Sequence, residues 1–114
     1  MLKIYEIGKE RYKLIKKYKQ YLEPIKSACL QLLPKAKIFL FGSALSGKLV
    51  AASDIDILIV TEREFKNQRE RASIILRIED KVSLPFVHPF EFHLMSTPEY
   101  NRFISITNAQ LKEI

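Results

Sequence analysis

Apolar and polar positions follow two rhythms along this chain. Between residues 9 and 33, Ile15, Tyr18, Leu22, Ile25, Cys29 and Leu32 recur at alternating spacings of three and four. That spacing lays a single apolar stripe along a helix. Pro24 falls inside the stripe. Its ring crowds the carbonyl one turn back and offers no N–H, which predicts a kink or a split near Leu22. Pro34 closes the segment. The rhythm then changes to short apolar runs. Lys37 to Phe41, Lys-Ile-Phe-Leu-Phe, predicts a strand that ends at Gly42. Residues 43 to 53 are small and polar and predict a short helix followed by a loop. Asp54 to Val60 is the strongest strand, and its continuous apolar run suits a strand covered on both faces. Thr61 and Glu64 form a T-x-x-E capping box, which predicts a helix from there to about Glu79. Lys66, Arg69, Glu70 and Arg77 are its outward candidates, and Ile74, Ile75 and Ile78 point inward. Residues 80 to 89 predict a loop containing Pro85 and Pro89, and Phe90 to Met95 predicts a third strand. Thr97 with Pro98 predicts the cap and first turn of a last helix.

The expected order is helix, strand, helix, strand, helix, strand, helix. This is an α/β or α+β domain with helices packed on a sheet. At 114 residues the chain fits one domain, 1–114, with a helical segment at 1–33 and no linker or internal repeat. A 47% apolar composition without polar low-complexity runs excludes a disordered chain. No apolar run approaches membrane-spanning length. The start, Met-Leu-Lys-Ile-Tyr-Glu, lacks an apolar signal core, so no membrane association and a cytoplasmic protein are expected. Cys29 is the single cysteine, so no internal disulfide can form; its apolar neighbours predict burial. The net charge of +6 is uneven. Residues 1 to 37 hold ten Lys/Arg against Glu6, Glu10 and Glu23, whereas the remainder holds nine against ten acids. A basic start suits RNA or an acidic partner; it equally suits a solvated helix face.

Chemistry concentrates at strand ends. Gly42-Ser43 closes one strand and opens a helical turn. Glycine lets the backbone approach a ligand, amides at a helix start favour phosphate, and the Ser43 hydroxyl can bond a phosphate oxygen. Alone, the pair also reads as an ordinary turn. In Asp54-Ile55-Asp56, alternate strand residues face the same way, so both carboxylates project together about 7 Å apart. Like charges at the head of an apolar strand are costly without a cation, and oxygen-only donors suit magnesium. The plainer alternative makes Asp54 a loop cap and Asp56 a surface charge. Glu91 supplies a third carboxylate. It shares a face with His93, opposite Phe90, Phe92 and Leu94, and its alternative is a strand-edge charge. Lys48 reads as a solvated lysine near the turn. His88 and His93 read as packed or hydrogen-bonded residues, because no second soft ligand lies in metal spacing.

Together these parts are more specific. Gly42-Ser43, ten intervening residues, then Asp54-Ile55-Asp56 resembles the minimal nucleotidyltransferases of the DNA polymerase beta superfamily, over roughly residues 36–100. The resemblance implies a small mixed β-sheet with flanking helices. It implies that Gly42 and Ser43 hold the triphosphate of ATP, and that Asp54, Asp56 and Glu91 hold two Mg2+ ions and carry catalysis. The family more often has aspartate where this chain has Glu91. The implied chemistry is two-metal nucleotidyl transfer. Larger relatives add a helical domain that recognises the acceptor, whereas here one helix is expected after the third strand. Acceptor recognition then falls to the N-terminal helix, to a second copy of the chain as a homo-oligomer, or to another protein. That helix carries Tyr5, Tyr12, Tyr18 and Tyr21 among its lysines, a composition suited to an interface. The resemblance points to antitoxins that pair with a HEPN-type RNase toxin, many of which attach AMP to it. The alternatives are a non-catalytic module that binds nucleotide or partner, and an RNA nucleotidyltransferase.

Overall fold

A computed structural model of the protein describes residues 3–114. Met1 and Leu2, part of the predicted helical segment, lie outside the described residues. The elements run α1 (Ile4–Lys16), α2 (Lys19–Leu32), β1 (Lys37–Phe41), α3 (Ser43–Ser46), β2 (Ile55–Thr61), α4 (Gln68–Val82), β3 (Phe90–Ser96), α5 (Thr97–Thr107) and β4 (Leu111–Glu113). The sheet is mixed, in the order β3-β2-β1-β4. β2 pairs parallel with β3 and antiparallel with β1, and β4 pairs antiparallel with β1. This is the α/β class the sequence predicts.

β2 lies inside the sheet, and Ile55, Ile57, Leu58, Ile59 and Val60 are all buried there. One face is covered by α2 and α4. Ile25, Ala28 and Cys29 from α2 meet Ile74 and Ile78 from α4 over Ile38, Leu40, Ile55, Ile57 and Ile59. Burial pushes the Cys29 thiol up to about 12, so it behaves as a small apolar residue. The other face carries Phe39 and Phe41, covered by α5: Phe39 stacks on Tyr100 at 5.9 Å and Phe41 meets Phe103 edge-on at 6.0 Å. Among the described residues, no helix is long and apolar enough to cross a membrane.

Several boundaries differ from expectation: α1 already starts at Ile4, five residues before the expected helix, and α4 runs on to Val82, past the expected end near Glu79. The first helix breaks at Lys17–Tyr18, not near Leu22, and Pro24 sits inside α2. The carbonyl crowded by the Pro24 ring belongs to Gln20, in the first turn of α2. The interruption therefore moves upstream, where the N–H groups of Gln20 and Tyr21 turn back to the carbonyls of Lys17 and Tyr18. Thr61 and Glu64 do not cap a helix. Thr61 is the buried last residue of β2, paired with Ser96, and its hydroxyl accepts from the Arg63 N–H. The cap is Asn67, whose side chain accepts from the Glu70 N–H at 3.0 Å. The last helix is capped by Ser96, with Thr97 as its first residue. The Ser96 hydroxyl and N–H both donate to Glu99. Finally, α5 is followed by β4, whose three residues Leu-Lys-Glu show no apolar alternation.

Arg71 locks α4 to the far end of β3. Its guanidinium donates to the Leu94 carbonyl and to the Glu99 carboxylate, each at 2.7 Å. Arg71 first, and then the Ser96 N–H, holds the Glu99 carboxyl down to about 2, against an ordinary 4.5. A depressed folded-state value means the contribution is complete above 4.5 and fades as pH falls toward 2. Thermal melts across that interval should show the wild type losing Tm in acid. Glu99→Gln should start lower at neutral pH and lose less over the same interval. Identical acid slopes for the two proteins would remove Glu99 from the acid response.

Candidate active site

The strand pairing builds the site. The parallel register sets Asp56 of β2 directly beside Glu91 of β3, and the antiparallel register sets Phe41 of β1 on the other side of Asp56. His93 follows Glu91 by two residues, so strand alternation brings it to the same face. Asp56, Glu91 and His93 each offer a ligand atom, and these atoms lie within 4.8 Å of one another. His93 Nε2–H donates to Asp56 Oδ1 at 3.1 Å, and the same nitrogen lies 3.9 Å from Glu91 Oε1. The edge contact with Phe41, at 5.1 Å between ring centres, holds the imidazole in place. Asp56 is mostly buried, whereas the Glu91 side chain is 54% exposed.

Gly42 closes the site from the β1 side. Its backbone sits at φ 75° and ψ −146°, a conformation open essentially to glycine alone. A Cβ placed there would lie 2.4 Å from Asp56 Oδ2, so the absent side chain is what lets backbone and carboxylate meet. Ser43 begins α3 and is half-buried, and the N–H groups of Leu45 and Ser46 both return to the Gly42 carbonyl. Lys48 is exposed in the following loop.

Asp54 stands apart from the cluster. It precedes β2 by one residue and pairs with Arg11 of α1, Nη2 to Oδ1 at 2.7 Å. The second arm of that guanidinium donates to the Ala51 carbonyl at 2.9 Å. The structure thus groups Asp56 and Glu91, adds His93, and gives Asp54 a separate cation. Asp54 gains opposite charge from Arg11, and Asp56 gains a hydrogen-bond partner in His93. Neither residue stood out in the sequence as part of the site. A signal existed for each. Arg11 is the one arginine among nine lysines in residues 1 to 37, and a guanidinium suits a two-armed contact where an ammonium does not. His93 lies at the alternation distance from Glu91. His88 does take the packed role expected of it. Its Nδ1 accepts the Phe90 N–H, so Nε2 carries the hydrogen and donates to Glu79.

A family model for the nucleotidyltransferase domain matches residues 22–112. The chain belongs to this nucleotidyltransferase family. One crystal structure, of a protein provisionally assigned as a nucleotidyltransferase, is 25% identical with a TM-score of 0.63, covering 82% of this chain and 97% of that one. A second, of a protein from Sulfolobus solfataricus with the same provisional assignment, is 21% identical with a TM-score of 0.55, covering 94% and 83%, and shares the fold. No match is found among curated proteins. A nucleotidyltransferase acts on a nucleoside triphosphate, generally with a divalent cation. The donor set here fits such a cation: converging carboxylates, one of them partly buried, beside a backbone without a side chain.

Gly42 and Gly47 separate backbone strain from site geometry. Both have positive φ, but only at Gly42 would an added methyl group meet a neighbour within 4 Å. Gly42→Ala should lower divalent-cation affinity about 10-fold or more by displacing Asp56. Gly47→Ala should cost only stability. Calorimetric titration with Mn2+ checks both, and equal affinities in the two variants would make the Gly42 contact irrelevant to the site.

Proposed function

We propose that the protein is a magnesium-dependent adenylyltransferase of the cytoplasm, which moves AMP from ATP to a hydroxyl of a partner protein. In this reading it is the antitoxin of a HEPN-type RNase. The observation that carries the transferase chemistry is the pairing of Asp56 with Glu91 behind the Gly42-Ser43 turn. Divalent cations held here, two Mg2+ by the family resemblance, would supply charge neutralisation of the triphosphate and activation of the acceptor hydroxyl. Asp56 and Glu91 would hold the cations, with Asp54 the further carboxylate that the family resemblance assigns to them. The Gly42 backbone and the Ser43 hydroxyl seat the phosphates. The acceptor oxygen bonds to the α-phosphorus, the α–β phosphoanhydride breaks, and pyrophosphate leaves. Glu91, the more exposed carboxylate, faces the side from which an acceptor enters and takes its proton.

A protein acceptor is favoured over RNA by the surface of α1. A groove of about 760 Å3 runs between α1 and residues 85–87, lined by the apolar Ile7, Leu14 and Phe86. Its charged rim balances Glu6 and Glu10 against Lys13 and Lys17, which is not the basic stripe a phosphate backbone needs. The tyrosines divide between core and surface, Tyr18 as the apolar stripe predicts. Tyr18 and Tyr21 pack on the core, while Tyr5 and Tyr12 stay exposed. An AMP group near the partner's RNase site would place negative charge where RNA must bind, which inhibits it electrostatically.

Mass spectrometry tests this directly. Wild-type protein, ATP, Mg2+ and the product of the adjacent gene should yield an AMP adduct on that product. Asp56→Asn and Glu91→Gln should each slow adduct formation on the order of 100-fold while leaving the melting temperature within a few degrees. Full neutralisation of the partner by Asp56→Asn without an adduct would replace transfer by simple binding. An adduct on RNA would replace the protein acceptor.

A further inference from the structure

We infer that His93 is a ligand of the Asp56–Glu91 centre, and that the centre therefore takes a first-row transition cation ahead of magnesium. This rests on the proposed divalent-cation centre and ranks affinities there; the proposed reaction runs with magnesium as the more weakly held ion.

The separations carry the inference. Donors about 2.1 Å from an octahedral cation lie about 3.0 Å apart when adjacent and about 4.2 Å apart when opposite. His93 Nε2 is 3.1 Å from Asp56 Oδ1, the spacing of adjacent donors, and 3.9 Å from Glu91 Oε1, short of the about 4.2 Å beyond which two donors cannot share one cation. The Nε2 that meets both carboxylates is the nitrogen that would ligate. In the tautomer with its hydrogen on Nδ1, its lone pair points where the carboxylate oxygens converge. The ring is already oriented by the edge of Phe41 and by strand alternation with Glu91. Among the described residues, His93 is the only nitrogen-bearing side chain that meets either Asp56 or Glu91, since Arg11 is turned to Asp54. The other histidine makes the contrast clear: both nitrogens of His88 are committed, one to the Phe90 N–H and one to Glu79. At His93 no hydrogen bond to Nδ1 among the described residues fixes the tautomer, so the hydrogen that Nε2 shares with Asp56 can move to Nδ1 and leave the Nε2 lone pair facing two carboxylates.

Donor chemistry then sets the metal. Magnesium is a hard ion that favours oxygen and binds nitrogen poorly, whereas imidazole with carboxylates suits first-row transition ions. Replacing one oxygen ligand by Nε2 weakens the magnesium site more than the transition-metal site.

Mn2+ is the probe. Electron spin-echo modulation of Mn2+ bound to wild-type protein carrying isotope-labelled histidine should show a coordinated imidazole nitrogen. His93→Gln should lose that coupling and weaken Mn2+ binding about 10-fold or more, while Mg2+ binding changes much less. The Mn2+ over Mg2+ preference therefore shrinks. Absence of the nitrogen coupling in wild type, or equal weakening of both cations in His93→Gln, would overturn the inference and leave His93 as a group that positions Asp56. The wild-type spectrum decides even where the variant folds poorly. Asp56→Asn separates the two levels. Mn2+ that binds, is lost in Asp56→Asn and shows no nitrogen coupling sinks only the role of His93. Failure of wild type to bind Mn2+, or binding indifferent to Asp56→Asn, sinks the centre itself and the inference with it.

Discussion

The parallel pairing of β2 with β3 places Asp56 beside Glu91, and apolar burial enforces that register against the repulsion of the two carboxylates. A slip by one residue would turn Ile55, Ile57 and Ile59 off the face covered by α2 and α4. Each of these side chains contributes roughly 1.5–3 kcal/mol by burial. Repulsion between two unit charges near 4 Å amounts to about 1 kcal/mol in water and about 4 kcal/mol at the effective dielectric of a protein surface. Three isoleucines outweigh it. The charged pair is therefore imposed by the core. Parallel strands also need a crossover, and α4 provides it, fastened by Arg71 to the Leu94 carbonyl and to Glu99.

The antiparallel partner β1 completes the same logic from the other side. Its register sets Phe41 beside Asp56 and carries the chain on to Gly42, where a side chain would collide with Asp56 Oδ2. Backbone and carboxylate come together because one residue lacks a Cβ and can hold a positive φ. Asp56 is then bracketed, with Oδ2 toward Gly42 and Oδ1 toward His93. A carboxylate fixed on both sides loses little freedom on taking a ligand, which is the physical meaning of a preorganised site.

What the sequence made legible follows from the range of the forces involved. The three longer strands were readable because each is an apolar run cut off by glycine, proline or charge. Gly42, Ser43, Asp56 and Glu91 were readable as strand-end residues, since alternation fixes which way a side chain points. The start of α4 was not, because Thr61 is held in β2 by its pairing with Ser96, a contact with a residue far along the chain that overrides a local capping pattern. β4 was invisible for the same reason. Leu111, Lys112 and Glu113 form a strand only because β1 offers an unpaired edge. Arg11 lies 43 positions from Asp54, and no local spacing relates them.

Arg11 also explains how so lightly buried a helix keeps its place. α1 buries a single side chain, Ile15. That burial is worth roughly 1.5–3 kcal/mol, whereas an ion pair with a half-exposed Asp54 adds about 0–1 kcal/mol. Ile15 therefore supplies most of the attachment, and Arg11 supplies direction. Its fork reaches Asp54 and the Ala51 carbonyl at once, so helix and loop are tied at two points of the segment leading into β2. A lysine would carry the same charge with no fixed fork, and would leave the loop free to turn about one contact. The position of the first aspartate in Asp54-Ile55-Asp56 is thus set by a helix 43 residues upstream. The same helix lines the groove beside Phe86, so that groove and the contact to Asp54 both lie on α1.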